Sequence, residues 1–363
     1  MQRPGGPCYF LSMPDATLDL LRRHAARVAG IPADPSWSVV RLKQDASNRS
    51  YFRVILPERS YVLMSMPAGA PSEEATKGEA PAELPFVNVH RYLLGLGIRV
   101  PAIHAYDPDA GVMVLEDLGD VTFEAGLAQG SDSAARREAL YGEAIDLLAC
   151  LRARADARPD PACLAASRSF DFDLYRWELD HFLEWGLEAR EGRKLEGADR
   201  ERFAFHADAV SRALAELPRG FTHRDYQSRN LMLLEGGELA VIDFQDALQG
   251  PRQYDLVALL RDSYVELPME FVERMLGRYL ERLAAEGGPR IERESFVADF
   301  HLLTVQRKLK DAGRFVFIDR VKKNPSFLPY VAPSLRYVKE ALARRPELEE
   351  LAAILRRHVP ELA

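Results

Sequence analysis

Polar side chains with the chemistry of phosphoryl transfer stand close together in the segment FTHRDYQSRNLMLL, which begins at position 221. His223, Asp225 and Asn230 follow the pattern H-x-D-x-x-x-x-N, and Asp243 comes later in LAVIDFQDA. Moving a phosphoryl group needs a carboxylate that positions the acceptor hydroxyl, and oxygen ligands that hold Mg²⁺ against the phosphates. The pattern predicts Asp225 as the catalytic carboxylate and Asn230 and Asp243 as the metal ligands.

A β-hairpin is predicted directly after this segment, and it would position the metal ligands. The apolar runs 230–234 and 239–242 flank a turn made of Glu235-Gly236-Gly237, which is typical of a hairpin. The returning strand would bring Asp243 back to the metal. We expect His223 to brace the loop through a bond to the backbone near the hairpin. A polar turn with capping Asp and Asn residues is the alternative interpretation.

Composition and charge limit the classes of function. The chain has 363 residues, of which 47% are hydrophobic and 28% are charged, and its formal net charge is −7. This length exceeds one ordinary core, so two lobes are predicted. The net negative charge argues against a general electrostatic attraction to nucleic acid or to an anionic membrane, so we expect neither as a partner.

The cysteines and the N-terminus indicate a cytoplasmic protein. Cys8, Cys150 and Cys163 form no CxxC pair, and an odd number of cysteines favours neither a disulfide framework nor a zinc site. The first 21 residues lack the uninterrupted apolar stretch that a signal peptide needs, and no run of about 18 apolar residues occurs in the sequence, so we expect neither export nor a membrane span. The expected state is a monomer.

Periodicity predicts an α+β protein with a small antiparallel β lobe and a larger, mainly helical lobe. A helix over 15–30 and another over 83–94 accompany strands in the first part of the chain. The predicted strands are 37–42, 51–56, 60–66, 102–106 and 111–115. The predicted helices of the second part are 134–157, 174–189, 200–217, 254–264, 268–286 and 294–313. The boundary is expected near 117–122, and the polar segment 67–85 reads as a mobile loop.

The segments HRDYQSRN, IDFQD and GPRQYDLVALLRDSY resemble the aminoglycoside phosphotransferase and choline kinase superfamily, which has a two-lobed protein-kinase-like fold. The likeness covers most of the chain. It implies ATP and Mg²⁺ as cofactors, a nucleotide-binding lobe over 1–116 and a catalytic and substrate lobe over 117–363. It also implies that Asp255 steadies the catalytic loop from the start of a helix. A plain carboxylate at a helix N-terminus is the alternative for Asp255.

Three further segments, DASNRSYFRV, FDFDLYRWELDHFLEWGL and VQRKLKDAGRF, look like the anomeric sugar kinases of bacterial cell-wall recycling. That group phosphorylates N-acetylmuramate and N-acetylglucosamine at the 1-hydroxyl. The resemblance implies a small amino sugar as the partner and a role in peptidoglycan recycling. Two alternatives stay open: the same chemistry on an aminoglycoside or amino alcohol, and a non-catalytic nucleotide-binding pseudokinase.

The nucleotide site departs from the usual kinase pattern. Met64 stands where a third-strand lysine is expected, and Pro85 and Phe86 stand where its glutamate partner is expected. Because both members of the pair are missing together, we expect a different phosphate clamp.

Lys43 and Arg53, which flank QDASNRSYF, are the candidate cations of that clamp, and Ser47 and Asn48 are candidate donors. Ordinary solvated charges at strand ends are the alternative for each cation. The resemblance implies that the adenine edge lies between the lobes, against the backbone from Glu116 to Leu118.

A predicted helix carries the candidate acceptor site. Glu178, His181 and Trp185 are spaced by three and four residues, so they share one face. Their polar groups and indole suit a sugar, whose hydroxyls need polar partners and whose C–H face packs on aromatic rings. The alternative is a helix that buries a tryptophan and exposes a glutamate.

Other side chains are candidates for contact with the acceptor. Asp246 lies three residues after Asp243, and Arg261 and Asp262 lie nearly two turns after Asp255 on the same predicted helix. If muramate is a substrate, Arg261 or Arg307 could bind its lactyl carboxylate. An ion pair within the protein is the alternative for each arginine.

Overall fold

The computed structural model describes residues 15–42, 49–66, 83–129 and 134–363. The chain divides into two compact units. The first unit is Met1–Ala80 with Pro101–Leu118, and the second is Pro81–Val100 with Gly119–Ala363. The predicted site residues Lys43, Ser47 and Asn48, and residues 67–82 of the predicted mobile loop, lie outside the described residues.

Within the described part of the first unit, five strands form one antiparallel sheet in the order β1-β2-β3-β5-β4. The strands are β1 (Ser38–Arg41), β2 (Ser50–Ile55), β3 (Ser60–Ser65), β4 (Ile103–Asp107) and β5 (Val112–Glu116). The helix α1 (Asp15–Ala29) precedes them. The predicted antiparallel β lobe is thereby confirmed.

The core of the first unit lies between α1 and the sheet. Leu21 and Ala25 of α1 are buried in one apolar cluster with Val54, Leu63 and Val114 of the central strands. Alternating side chains of a strand point to opposite faces, so β2 and β5 each contribute one face to this cluster. Burial of these apolar side chains is the main stabilising contribution to the unit.

The second unit is mainly helical. Its helices are α2 (Pro85–Gly95), α3 (Phe123–Ala128), α4 (Ala134–Ala157), α5 (Phe172–His181), α6 (Gly197–Ala215), α7 (Gln253–Leu260), α8 (Met269–Ala285), α9 (Arg293–Lys322), α10 (Val331–Leu342) and α11 (Glu349–His358). A π-helical segment, Phe182–Ala189, continues α5. Short 3₁₀ turns lie at Leu164–Ala166, Pro325–Tyr330, Pro346–Leu348 and Pro360–Leu362. Within the described residues, no helix is long and apolar enough to span a membrane.

The second unit also contains two short antiparallel ribbons, which flank the site described below. The strand β6 (Arg219–Thr222) pairs with β9 (Leu248–Pro251). The strand β7 (Leu231–Leu233) pairs with β8 (Leu239–Val241). The second ribbon is the predicted hairpin, with its glycine-containing turn between β7 and β8.

The helix α2 groups with the second unit, whereas the sequence placed it with the first strands. Its Asn88 donates to the carbonyl of Ala162 at 3.0 Å and accepts the N–H of Leu164 at 2.7 Å. Its Phe86 packs on Phe244 with ring centroids 4.8 Å apart. These contacts join α2 to elements of the second unit. The functional boundary after residue 116 stays a prediction.

Helix ends differ from the predicted ends in two places that matter for the site. The helix predicted over 254–264 ends at Leu260, because Arg261 has φ −119° and ψ 32°, outside the helical region. The helix predicted over 294–313 continues to Lys322. The helix α9 is continuous through Gly313, where it packs closely on the backbone of Phe182.

Candidate active site

The loop between β6 and β7 carries His223, Asp225 and Asn230, and His223 braces it from inside. The imidazole is fully buried, and its Nε2 lies 3.0 Å from the carbonyl oxygen of Ile242. A carbonyl only accepts, so Nε2 carries the proton. Burial lowers the pKa of His223, which keeps the ring neutral. The contact has the form expected of a brace at the hairpin.

Asp255, in the first turn of α7, holds the start of the loop. Its carboxylate accepts the backbone N–H groups of His223 at 2.7 Å and Arg224 at 2.9 Å. Arg224 has φ 80°, a conformation that is strained for a residue with a side chain. Two hydrogen bonds to one buried carboxylate are the means of holding that conformation. Burial raises the pKa of Asp255.

Asp262 holds the far end of the same loop, and sequence reasoning placed it near the acceptor instead. Its Oδ2 accepts the N–H of Ser228 at 2.8 Å and the hydroxyl of Ser228 at 2.6 Å. The side chain is 1% exposed, so these bonds satisfy a buried carboxylate. Two aspartates, one on α7 and one just after it, therefore fix the loop at both ends.

Asp225 lies between these anchors, with 31% of its side chain exposed. Its Oδ1 accepts a hydrogen bond from Nη2 of Arg307 at 3.3 Å, and Nη1 of Arg307 donates to the carbonyl of Arg224 at 2.8 Å. Burial raises the pKa of Asp225, but the positive charges of Lys310, Arg307 and Arg224 outweigh it and hold the pKa below the ordinary value. Asp225 is therefore a carboxylate at neutral pH.

The hairpin brings Asn230 and Asp243 together. Nδ2 of Asn230 donates to the backbone carbonyl of Asp225 at 2.8 Å and lies 3.4 Å from Oδ2 of Asp243. The N–H of Ile242 donates to the carbonyl of Asn230 at 3.0 Å, which sets the register that aligns the two side chains. Asp243 has φ 64°. Strained backbone at Asp243 and Arg224 is typical of functional loops.

Gln245 connects Asp243 to Asp246, a contact that the sequence did not indicate. Its Nε2 donates to Oδ1 of Asp243 at 2.9 Å and to Oδ2 of Asp246 at 3.0 Å. Gln245 is 3% exposed, so its amide is a fixed spacer between the two carboxylates. Asp246 is thus held close to Asp243.

The oxygen atoms of Asn230 and Asp243 fit Mg²⁺. This ion prefers hard oxygen ligands, and it commonly takes one or two side chains together with waters and substrate phosphates. Asp243 offers a carboxylate and Asn230 a carboxamide oxygen, and the two side chains are neighbours, with Nδ2 of Asn230 3.4 Å from Oδ2 of Asp243. Among the described residues, no group of three or more His, Cys, Asp or Glu side chains forms a metal cage, so a dedicated all-protein site of that kind is not found there.

Glu178 faces the loop from α5 and is fully buried. Its Oε2 accepts a hydrogen bond from Nε2 of Gln306 at 2.7 Å, and its Oε1 lies 3.8 Å from Nη2 of Arg224. Arg224 precedes Asp225, so Glu178 connects α5 and α9 to the loop between β6 and β7. Gln306 is a member of this network that the sequence did not single out.

His181 and Trp185 belong to an aromatic cluster with Trp177 and Phe317. The His181 ring lies 5.4 Å from Trp177, 6.4 Å from Trp185 and 5.3 Å from Phe317, measured between centroids. Trp185 meets Phe317 edge to face at 5.2 Å. The predicted common face of Glu178, His181 and Trp185 is interrupted, because the chain passes from α5 into the π-helical segment at Phe182. His181 and Trp185 lie together in this cluster, whereas Glu178 contacts Gln306 and Arg224.

Arg261 has its contacts on elements away from the catalytic loop. Its Nη2 pairs with Glu340 at 3.3 Å, and its guanidinium lies 4.9 Å from the ring centroid of Tyr337, both on α10. The side chain is 1% exposed. Because α7 ends at Leu260, Arg261 does not continue the face of Asp255. The structure therefore shows Arg261 in an ion pair within the protein, which was the alternative to a contact with the acceptor.

In the first unit, Arg53 forms a two-point ion pair with Asp117. Nε and Nη2 of Arg53 lie 2.6 Å and 2.8 Å from the Asp117 carboxylate, which also accepts the Ser60 hydroxyl at 2.6 Å. Glu116 binds Ala102 through its backbone and its side chain, and Leu118 is half-buried. Roles for Arg53, Glu116 and Leu118 in nucleotide binding stay predictions.

Comparison with known proteins gives a consistent result. The profile of the APH phosphotransferase enzyme family matches residues 38–294. The N-acetylmuramate/N-acetylglucosamine kinase of Pseudomonas aeruginosa is 36% identical over 322 residues, which are 88% of each chain. The protein of the same name from Neisseria meningitidis is 33% identical and covers 86% of this chain and 87% of its own.

Solved structures confirm the predicted fold class. The choline kinase LicA from Streptococcus pneumoniae has a TM-score of 0.61 at 13% identity and covers 90% of this chain and 99% of its own. The ADP-bound aminoglycoside phosphotransferase APH(2'')-Ib has a TM-score of 0.55 at 16% identity and covers 88% and 97%. At these identities the likeness concerns the fold alone.

Proposed function

The chain belongs to the phosphotransferase enzyme family, and from that premise we propose that it is an ATP-dependent kinase of N-acetylmuramate and N-acetylglucosamine. The reaction would place phosphate on the anomeric hydroxyl, as in peptidoglycan recycling. Four relatives at 30% to 36% identity carry the name N-acetylmuramate/N-acetylglucosamine kinase, which supports the acceptor. Each aligns with 86% or more of this chain.

The observation that carries the proposal is the convergence of three side chains on one loop and hairpin. Asn230 bonds to the backbone of Asp225 at 2.8 Å and lies 3.4 Å from Asp243. A base for the hydroxyl and oxygen ligands for the metal are thus adjacent. Phosphoryl transfer depends mainly on positioning and on charge stabilisation, and this arrangement supplies both.

Asp225 accepts the hydrogen bond of the acceptor hydroxyl and takes its proton as the oxygen attacks phosphorus. The carboxylate is ionised at neutral pH, and Arg307 fixes the orientation of its Oδ1. Its other oxygen can face the acceptor, since part of the side chain is exposed. His223 and Asp255 keep the loop in place during the step.

Asn230 and Asp243 would hold Mg²⁺, which supplies positive charge against the phosphoryl oxygens when it is bound. Gln245 fixes Oδ1 of Asp243 through a 2.9 Å hydrogen bond. That bond restricts the rotation of the carboxylate and so prepares it for the ion. Lys43, Ser47, Asn48 and Arg53 remain the proposed phosphate clamp.

The aromatic cluster of His181 and Trp185 would receive the sugar ring, with Glu178 and Asp246 as the proposed polar side chains of the acceptor site. Sugars bind where C–H faces meet aromatic rings and hydroxyls meet fixed polar groups. A cytoplasmic location and a monomeric state are further parts of the proposal.

A screen of ATP consumption with the purified protein tests this function. The acceptors are N-acetylmuramate, N-acetylglucosamine, a set of aminoglycosides and choline. We expect turnover with the two amino sugars and none with their 1-O-methyl glycosides, in which the anomeric hydroxyl is blocked. Turnover only with an aminoglycoside or choline would overturn the acceptor, and failure to bind ATP would overturn the kinase activity.

A further inference from the structure

One face of α9 connects the catalytic carboxylate to the aromatic cluster. Arg307, Lys310, Arg314 and Phe317 are spaced by three or four residues, so they lie along the same side of the helix. Arg307 bonds to Asp225 at one end, and Phe317 contacts His181 and Trp185 at the other. About 1.5 Å of helix per residue gives this face a length of roughly 15 Å, enough for one sugar ring and its substituents.

Two of the cations near this face already have ionic or cation–π partners. Arg307 is committed to Asp225 and to the carbonyl of Arg224. The guanidinium of Arg314 stands over the Phe317 ring, 4.9 Å from its centroid, and is therefore nearer to the aromatic end. Lys310 lies between them, one helical turn beyond Arg307.

The ammonium group of Lys310 can donate more hydrogen bonds than it makes within the described residues. Among the described residues, its hydrogen bond is a long one, 3.4 Å from Nζ to Oδ1 of Asp311. The closer partner of Asp311 is Lys308, whose Nζ lies 2.6 Å from Oδ2 and also donates to Ser263 at 2.7 Å. Asp311 thus has a closer cationic partner than Lys310. An ammonium has three N–H donors, so Lys310 can bind a further anion.

The two proposed acceptors differ by one anionic group. N-acetylmuramate carries a lactyl carboxylate on C3, where N-acetylglucosamine has a hydroxyl. C3 is separated from the anomeric carbon by a single ring atom, so the carboxylate must lie near Asp225 when the anomeric hydroxyl does. Lys310 meets that condition, because it lies one helical turn beyond Arg307, whose Nη2 is 3.3 Å from Oδ1 of Asp225.

We propose that Lys310 binds the lactyl carboxylate of N-acetylmuramate and sets the preference of the site between the two amino sugars. The inference rests on the proposed function. A charge-assisted hydrogen bond from a largely shielded ammonium is strong, because the side chain of Lys310 is only 12% exposed. N-acetylglucosamine makes no such bond, so its binding does not depend on this charge.

The test is the ratio of kcat/KM for N-acetylmuramate to kcat/KM for N-acetylglucosamine in the Lys310→Met variant. Methionine keeps the length of the stem and removes the charge. We expect the ratio to fall by roughly tenfold or more, and Lys310→Arg to recover most of it. Arg320→Gln is the matched control, since it removes an exposed cation from the same helix, and its ratio should equal that of the wild type.

The substrate offers a second arm of the same test. The carboxamide of N-acetylmuramate lacks the negative charge, so the wild type should use it less well, and Lys310→Met should cause no further loss in its ratio to N-acetylglucosamine. An unchanged ratio in Lys310→Met would overturn the role of Lys310, whether or not overall activity falls. Absence of wild-type turnover on both sugars is a different result and would overturn the proposed function itself.

Discussion

The carboxylate of Asp255 accepts the backbone N–H of His223 at 2.7 Å, so a helix fixes the loop that carries Asp225. The same carboxylate takes the N–H of Arg224 at 2.9 Å. Both donors and the acceptor are buried. The shape of the loop therefore depends on α7 as much as on the residues of the loop.

Replacement of Asp255 by Asn should damage both stability and activity. An amide has only one acceptor oxygen, so one buried N–H would face the amide nitrogen and lose its partner. We expect a loss of about 2–4 kcal/mol in the free energy of unfolding and a fall in kcat as the loop loses its shape. Urea unfolding and steady-state kinetics measure the two effects.

Asp173→Asn is the matched control for this prediction. Asp173 also lies in the first turn of a helix, α5, but it is exposed. Loss of its charge should cost less than about 1 kcal/mol, the usual value for a carboxylate at a helix N-terminus. If both variants lose equally little, Asp255 is only a helix-terminal charge and does not hold the loop.

Arg307→Lys should lower kcat with little effect on folding. Lysine keeps the positive charge, but it has no planar fork, so it cannot bind Asp225 and the carbonyl of Arg224 together. A shift of the Asp225 carboxylate by a fraction of an ångström should reduce kcat by about 10- to 100-fold. Arg278→Lys disrupts a similar two-point pair, with Asp146 on the surface, and should leave kcat unchanged. Equal kcat values in both variants would contradict a positioning role for Arg307.

Gly313→Ala should destabilise the protein because α9 touches the π-helical segment there. An added Cβ would lie 2.8 Å from Cα of Phe182 and 3.1 Å from the carbonyl of His181, which are backbone atoms. We expect a loss of roughly 1–3 kcal/mol from overpacking. Gly277→Ala, in the open interior of α8, should instead gain about 0.4–1 kcal/mol. Thermal unfolding measures the stability of the two variants against the wild type. A Gly313→Ala variant that is more stable than the wild type would contradict the close packing.

Acid should destabilise the protein partly through His301. Burial, together with Arg344, Arg261 and Arg345, lowers the pKa of His301 from 6.5 to about 4. The folded state thus takes up this proton at a lower pH than the unfolded state does. The free energy of unfolding therefore falls as the pH drops from 6.5 towards 4. The loss should reach roughly 2–3 kcal/mol.

His301→Leu removes this group, and its stability should change less than that of the wild type over the same pH range. Guanidinium unfolding at pH 7 and pH 4.5 measures the difference. Equal losses in the two proteins would show that His301 titrates normally in the folded state.

Short-range pattern was enough to predict that the three proposed catalytic and metal-binding side chains lie close together. Asp225, Asn230 and Asp243 lie on one loop and one hairpin, so the order of residues and a glycine turn determine their proximity. The brace from His223 was predictable for the same reason, since Ile242 directly precedes Asp243. The antiparallel sheet of the first unit followed from short segments that are rich in β-branched or aromatic residues and separated by polar or proline-containing turns.

Contacts between distant elements were not predictable in this way. Arg307 reaches Asp225 from α9, and Asp262 reaches Ser228 from beyond α7. Both side chains were singled out in the sequence, but they were assigned to the substrate. Periodicity gives the face of a helix and says nothing of which loop that face meets.

Arg261 and the π-helical segment show how helix ends limit sequence reasoning. A helix that continued past Leu260 would have kept Arg261 above Asp255, whereas the observed end turns it to Glu340. The widened turn after His181 likewise separates Glu178 from Trp185, although α-helical spacing puts them on one face. In both cases packing against α9 or α10 overrides the local pattern.

The most direct test of the account is the rate of phosphate transfer to N-acetylglucosamine by Asp225→Asn. The amide keeps the shape of the side chain but cannot take the hydroxyl proton. We predict that kcat falls by at least about a thousandfold, while ATP binding, measured by calorimetry, stays close to that of the wild type. A variant that transfers phosphate at the full rate would contradict the role of Asp225 and with it the proposed active site.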